Sequence, residues 1–278
     1  MDISRSALES GRVRRPAVAG SFYPSGAPAL RSALAECARH AARTLPPGRP
    51  KALIAPHAGY MYSGPIAATA YGSLAPWKDE IRRVVLLGPS HHVAFHGLAT
   101  SSAEYFLTPI GPVQLDLGAT LALQELPFVR QRDDAHASEH SLEVHLPFLQ
   151  LALEEFRLVP LVVGEVIPTE VAAALDRVWD GDETLIVVST DLSHYRPYEE
   201  ARHLDAETGR AIERLDAAAI DGRRACGYRA LNGLLTAASR RGLRVTALDE
   251  RNSGDTAGDR RRVVGYGAWA LTSDEEAG

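Results

Sequence analysis

Short, unbroken apolar runs that stop at glycine or proline recur along this chain, and three of them set its architecture: 52–56, the start of RVVLLGPSHH at 83–92, and 184–189. Each is short for a helix and lacks the alternation of a half-exposed strand, so each reads as a strand covered on both faces. Further strands are expected at 157–163, 244–249 and 263–271. Helical spacing covers 28–43, 117–126, 169–179, 199–215 and 225–241, and recurs through the leucines of 136–153. Another helix is predicted from Pro65, with Ser63 or Gly64 as its cap. LATSSAEYFLTPIGPVQLD has the short runs and Gly-Pro turns of a meander. Strands alternating with helices imply an α/β fold around a largely parallel sheet. Without an internal repeat or a convincing linker, one domain is expected over 15–272, with flexible segments at 1–14 and 273–278.

The same runs deliver chemistry. The first leads into His57, the second into His91 and His92, the third into Asp191 and His194. In parallel sheets ligands bind beyond the carboxyl ends of the strands, so three ends bearing such residues suggest one shared site. Cys226, at the start of a predicted helix, adds a thiol to this set of metal-ligand and acid/base residues. His140 and Glu143, three apart, would share a helix face and could line a cleft or support ligands, as could His92. His145 falls on a different face, where a backbone carbonyl is its expected partner. The HExxH spacing of zinc proteases is not met, and the GxxxxG loop after His57 lacks the Lys-Ser/Thr of a phosphate-binding loop. Ser189, Ser193 or Cys226 could pair with His194 or His57 as a hydrolase nucleophile, but no G-x-S-x-G elbow is present. A metal site accounts for more of these residues.

Composition narrows the field. A chain of 278 residues can bury one large α/β core or two small ones. Its net charge of −5, spread without long runs, argues against a nucleic-acid or polybasic membrane surface. The two cysteines, Cys37 and Cys226, are far apart and imply neither disulfide nor zinc knot. Cys37, among alanines in a helix, reads as a small core residue. No signal-peptide core or membrane-length apolar run is present, and a cytoplasmic protein is expected.

The phrases AGSFYP, LIAPHAGYMYSG, LLGPSHH, EHSLEVHLPF, STDLSHY and ACGYRALNGLL, in this order, resemble the Memo family, named for the human mediator of ErbB2-driven cell motility. Memo proteins are similar in fold to class III extradiol dioxygenases, non-haem iron enzymes that cleave catechol rings. The resemblance therefore implies a single three-layer α/β/α domain around a mixed, largely parallel sheet. It places metal ligands at His57, His91 and Cys226, with Asp191 and His194 beside them and His194 as the acid/base. Where the dioxygenases use two histidines and a carboxylate, Cys226 puts a softer thiolate, suited to Fe(II), Cu(I) or Zn(II). The function implied is a metal-dependent, dioxygenase-like oxidoreductase with an unidentified small-molecule substrate. The alternatives are a non-catalytic binding or regulatory module that keeps the pocket, or a metal-dependent hydrolase. Bacterial relatives often sit beside radical-SAM proteins, which implies a functional link to such a partner.

Overall fold

The computed structural model describes residues 12–273. The elements of the described residues begin with β1 (Val13–Arg14), α1 (Ala27–Arg39), β2 (Pro50–Ala55), α2 (Tyr60–Gly72) and β3 (Arg83–Pro89). Next come β4 (Leu98–Thr100), β5 (Tyr105–Thr108), β6 (Gly111–Gln114), α3 (Leu117–Gln124), β7 (Val129–Gln131), α4 (Asp133–Ala137) and α5 (Leu146–Ala152). The remainder is β8 (Arg157–Val163), α6 (Pro168–Val178), β9 (Thr184–Ser189), β10 (His194–Arg196), α7 (Tyr198–Glu213), α8 (Tyr228–Arg240), β11 (Arg244–Asn252), α9 (Ser253–Thr256) and β12 (Val263–Thr272).

The main sheet runs β10-β12-β2-β9-β3-β8-β4-β7, with β11 also on β12. Its centre, β2-β9-β3-β8, is parallel, while β12 and β4 run against it. Ala55 lies opposite Ser189 and Pro89 opposite Val163, so four strands end together at one edge. A smaller sheet, β1-β5-β6, holds the expected meander as the β5-β6 hairpin.

Alternation along each strand divides the core into two layers. Leu53, Leu86 and Val187 face α1, α2 and α5, meeting Leu30, Ile66 and Phe148. Ile54, Leu87 and Val188 face α6 and α8, meeting Val171, Leu175 and Leu234. Burial on both faces is why these strands read as continuous apolar runs, and each large aliphatic side chain so buried contributes about 1.5–3 kcal/mol. Cys37 is a core residue, its sulfur so close to Gly64 that a Cβ there would overlap it. Among the described residues no helix is long and apolar enough to cross a membrane.

Several sequence expectations need correction. Val13–Arg14 is a strand on β5, and Arg12 pairs with Glu104 at 2.8 Å, so the flexible segment expected over 1–14 does not reach its predicted end. Its remainder, 1–11, and residues 274–278 of the predicted tail lie outside the described residues. α2 starts at Tyr60, five residues before Pro65, which therefore forfeits one ladder bond inside the helix. Residues 136–153 are not one helix: residues 138–142 are irregular, Glu143–His145 is a 3-10 turn, and α5 starts afresh with Pro147 in its first turn. The break has a local cause, because the Glu139 carboxylate captures the Ser141 N–H at 2.9 Å and competes with helical bonding.

Candidate metal centre

Three strand ends and one helix start converge here. His57 follows β2 by two residues, His91 follows β3 by two, Asp191 follows β9 by two, and Cys226 precedes α8 by two. The turn at Cys226 packs directly on the end of β9. A Cβ on Gly227 would lie 2.8 Å from Thr190 Cβ, so only glycine permits this approach. Three hydrogen bonds lock it there: Gly227 N–H donates to Thr190 Oγ1 (2.9 Å), Cys226 N–H to the Asp191 carbonyl (3.2 Å), and Asp191 N–H to Cys226 Sγ (3.3 Å).

Each histidine is oriented through one ring nitrogen. Ser189 Oγ donates its only proton to the Ser141 carbonyl (2.6 Å), so at 2.6 Å from His57 Nδ1 it must accept from that nitrogen. His57 Nε2 is then the bare nitrogen, and it stands 3.3 Å from Cys226 Sγ. His91 is fixed the same way: Glu139 accepts from its Nδ1 (2.8 Å) and from its backbone N–H (2.6 Å), leaving Nε2 free. Donor atoms of His57, His91 and Cys226 all lie within 4.8 Å of one another. A four-coordinate ion asks for N and S donors roughly 3.5 Å apart, so the set suits a metal, with carboxylate and hydroxyl behind the two imidazoles as metal-bound histidines usually have. Burial differs across the trio. His57 is buried, Cys226 half-buried and His91 exposed, so the centre opens on the His91 side.

The electrostatics favour neutral donors. Burial, then the charges of His91 and His140, push His57 well below the ordinary histidine range. Burial, then Asp191, pushes the Cys226 thiol up to about 12. That rules against a resting thiolate–imidazolium nucleophile, whereas a bound cation would itself favour the thiolate. Asp191 is buried, accepts from His57 N–H at 2.8 Å, and keeps Oδ2 3.9 Å from His57 Nε2. Burial raises it to about 6 against the pull of its hydrogen bonds and of His194. His194 Nδ1 donates to the Leu192 carbonyl at 2.8 Å, so its Nε2 is the bare nitrogen.

The supporting residues fall out differently from the sequence expectation. His140 belongs to the centre, its ring stacked on His91 with centroids 4.4 Å apart and 5.5 Å from His57. His92 is exposed and edges onto His140 at 6.1 Å. Glu143 shares no helix face with His140. Its fully buried carboxylate is taken up by Arg14, Ala17 N–H (2.8 Å), Val18 N–H (3.0 Å) and Tyr23 Oη (2.6 Å). It therefore clamps the segment that lays Phe22 on the His140 ring, centroids 4.7 Å apart. His145 bonds the Tyr71 hydroxyl at 2.8 Å, where a backbone carbonyl was expected. Of the orienting partners, Glu139 was not read as a site residue, and Ser189 was read only as a possible hydrolase nucleophile. Only the return of 139–141 beneath β3 reveals the partner of Glu139.

Comparison with known proteins gives the family. Residues 14–270 match the family described as Memo-like protein. MEMO1 family proteins of Aquifex aeolicus and Aeropyrum pernix are 37% and 38% identical, over 92% of this chain and 97% and 99% of theirs. That of Methanopyrus kandleri is 36% identical over 92% of this chain and 97% of its own. The crystal structure of uncharacterized protein JW3007 from Escherichia coli K12 superposes with a TM-score of 0.54 at 13% identity, covering 80% of this chain and all of that one, a likeness of fold. Sequence phrases, sheet topology and relatives thus agree, and the chain belongs to the Memo-like family.

Proposed function

We propose that this protein is a metal-dependent oxidoreductase of the dioxygenase-like kind, holding Fe(II) between His57 Nε2, His91 Nε2 and Cys226 Sγ. One observation carries the reading: both imidazoles have Nδ1 tied to a dedicated acceptor, and donor atoms of both lie within 4.8 Å of each other and of the thiol. Cu(I) and Zn(II) suit the same donors. When bound, such an ion supplies Lewis acidity and, for iron or copper, redox chemistry with oxygen.

The chain's own residues do the rest. His194, bare at Nε2, takes a proton from a substrate hydroxyl and returns it to product. Asp191 steadies the His57 loop and the Cys226 sulfur through its side chain and its backbone N–H. The stacked His140 ring, covered by Phe22, excludes water from one side of the centre.

The test is metal content of protein purified without oxygen, wild type beside Cys226→Ser, followed by oxygen uptake on a panel of catechols. Stoichiometric iron or copper lost in the variant, with oxygen consumed and a ring-opened product formed, is expected. A protein that binds no ion and stays inert after reconstitution overturns the reading in favour of a non-catalytic binding module. Product formed without oxygen identifies a hydrolase.

A further inference from the structure

Beside Cys226 a cavity of about 400 Å³ opens beyond the carboxyl ends of β3 and β8, large enough for a small organic ligand. Pro89, Val93, Phe95 and Val163 contribute apolar side chains to its lining. The Phe95 ring lies against Gly164, where a Cβ would come within 2.8 Å of the ring, so this wall is fixed by the absence of a side chain opposite it. Arg229, in the first turn of α8, lines the cavity three residues after Cys226.

Arg229 is unlike most arginines of this protein. Those at 14, 83, 132, 177, 241 and 251 each meet a carboxylate. Arg229 is half-buried, its guanidinium lies over the Tyr228 ring at 4.8 Å, and among the described residues it has no acidic partner. Glu165 also lines the cavity, largely exposed, with His96 Nδ1 at 3.4 Å from its carboxylate. A stacked, partly desolvated guanidinium with free donors is built to take a carboxylate, often through two parallel hydrogen bonds.

We propose that this cavity binds a small apolar carboxylate, its acid group on Arg229 and its body between Phe95 and Val163, against Cys226. The site deepens the oxidoreductase reading and rests on it for one point alone, that the ligand is the substrate. Ligand binding itself needs no ion.

Benzoate is the probe and benzyl alcohol its neutral counterpart, titrated by calorimetry into full-length protein with and without iron. Benzoate is expected to bind both forms and to outcompete the alcohol. Arg229→Gln should weaken benzoate about tenfold or more, the worth of a charged hydrogen bond, and leave benzyl alcohol unchanged. Arg229→Lys should fall between the two, and all three proteins should take up the same iron. Equal affinity for benzoate and alcohol, no benzoate binding, or an indifferent Arg229→Gln overturns the proposal. Benzoate bound through Arg229 by a protein that takes up no ion keeps this inference and removes the oxidoreductase reading; iron uptake without it does the reverse.

Discussion

Ser189 has one proton to give, and giving it to the Ser141 carbonyl obliges the hydroxyl to accept from His57. Ser189→Ala removes that acceptor and frees the imidazole to place its proton on Nε2, where it would block a metal. Metal affinity, measured by competition with a chromophoric chelator, should fall about 10- to 100-fold with the fold intact. Unchanged affinity would show that the tautomer is set elsewhere. His145 makes a second prediction at this scale. Burial, then the charge of His140, holds it at about 3, against 6.5 in the unfolded chain. Its folded value is depressed, so its contribution to stability is present above pH 6.5 and lost as pH falls toward 3. Between these limits only the unfolded chain holds the extra proton, a slope of about 1.4 kcal/mol per pH unit. His145→Gln should lower stability above pH 6.5, where the Tyr71 bond is lost, and flatten its decline from pH 6.5 to 4.5 by about that slope, read by denaturant unfolding. An unaltered slope would mean that His145 is already protonated in the native protein.

Elements bring these residues together through close approaches that few side chains allow. Gly227→Ala would set a methyl against the end of β9, pushing the Cys226 turn outward. We expect a loss of about 1–3 kcal/mol by thermal or denaturant unfolding, together with weakened metal binding. Full retention of both would show that the turn relaxes without moving Cys226. At this scale the central strands were plainly legible, because burial on both faces writes itself as unbroken apolar sequence. Helix starts were not. Pro65 drew the expected start of α2 inward, whereas the true first turn, Tyr60 to Ser63, is packed under Phe22 by tertiary contacts that propensity does not record. The spacing of His140 and Glu143 suggested a shared face, but Glu139 breaks the helix, and what places each side chain is a partner far away in sequence.

Across the whole molecule, the segment ahead of α1 is a structural member. Arg14 is buried against Glu143, with further bonds to the carbonyls of His136 (3.1 Å) and Glu139 (2.7 Å). Arg14→Met leaves the Glu143 charge buried with one cation fewer, and unfolding measurements should register a loss of about 3–5 kcal/mol. A loss below about 1 kcal/mol would indicate that the backbone N–H groups and Tyr23 suffice. That His57, His91 and Cys226 meet was legible because histidines at strand ends are local features and the family phrases are long. The Arg14–Glu143 pair was not, since an arginine in a polar leader and a glutamate 129 residues later carry no mutual signal in one sequence. His57 and Cys226 are separated by 169 residues, and the parallel strands that seat them close only after β9 has been inserted between β2 and β3. A chain still emerging from the ribosome therefore displays the two histidines long before it displays the thiol. An ion that needs all three donors can therefore be held only after synthesis has passed Cys226, and not by the nascent chain that carries the histidines alone.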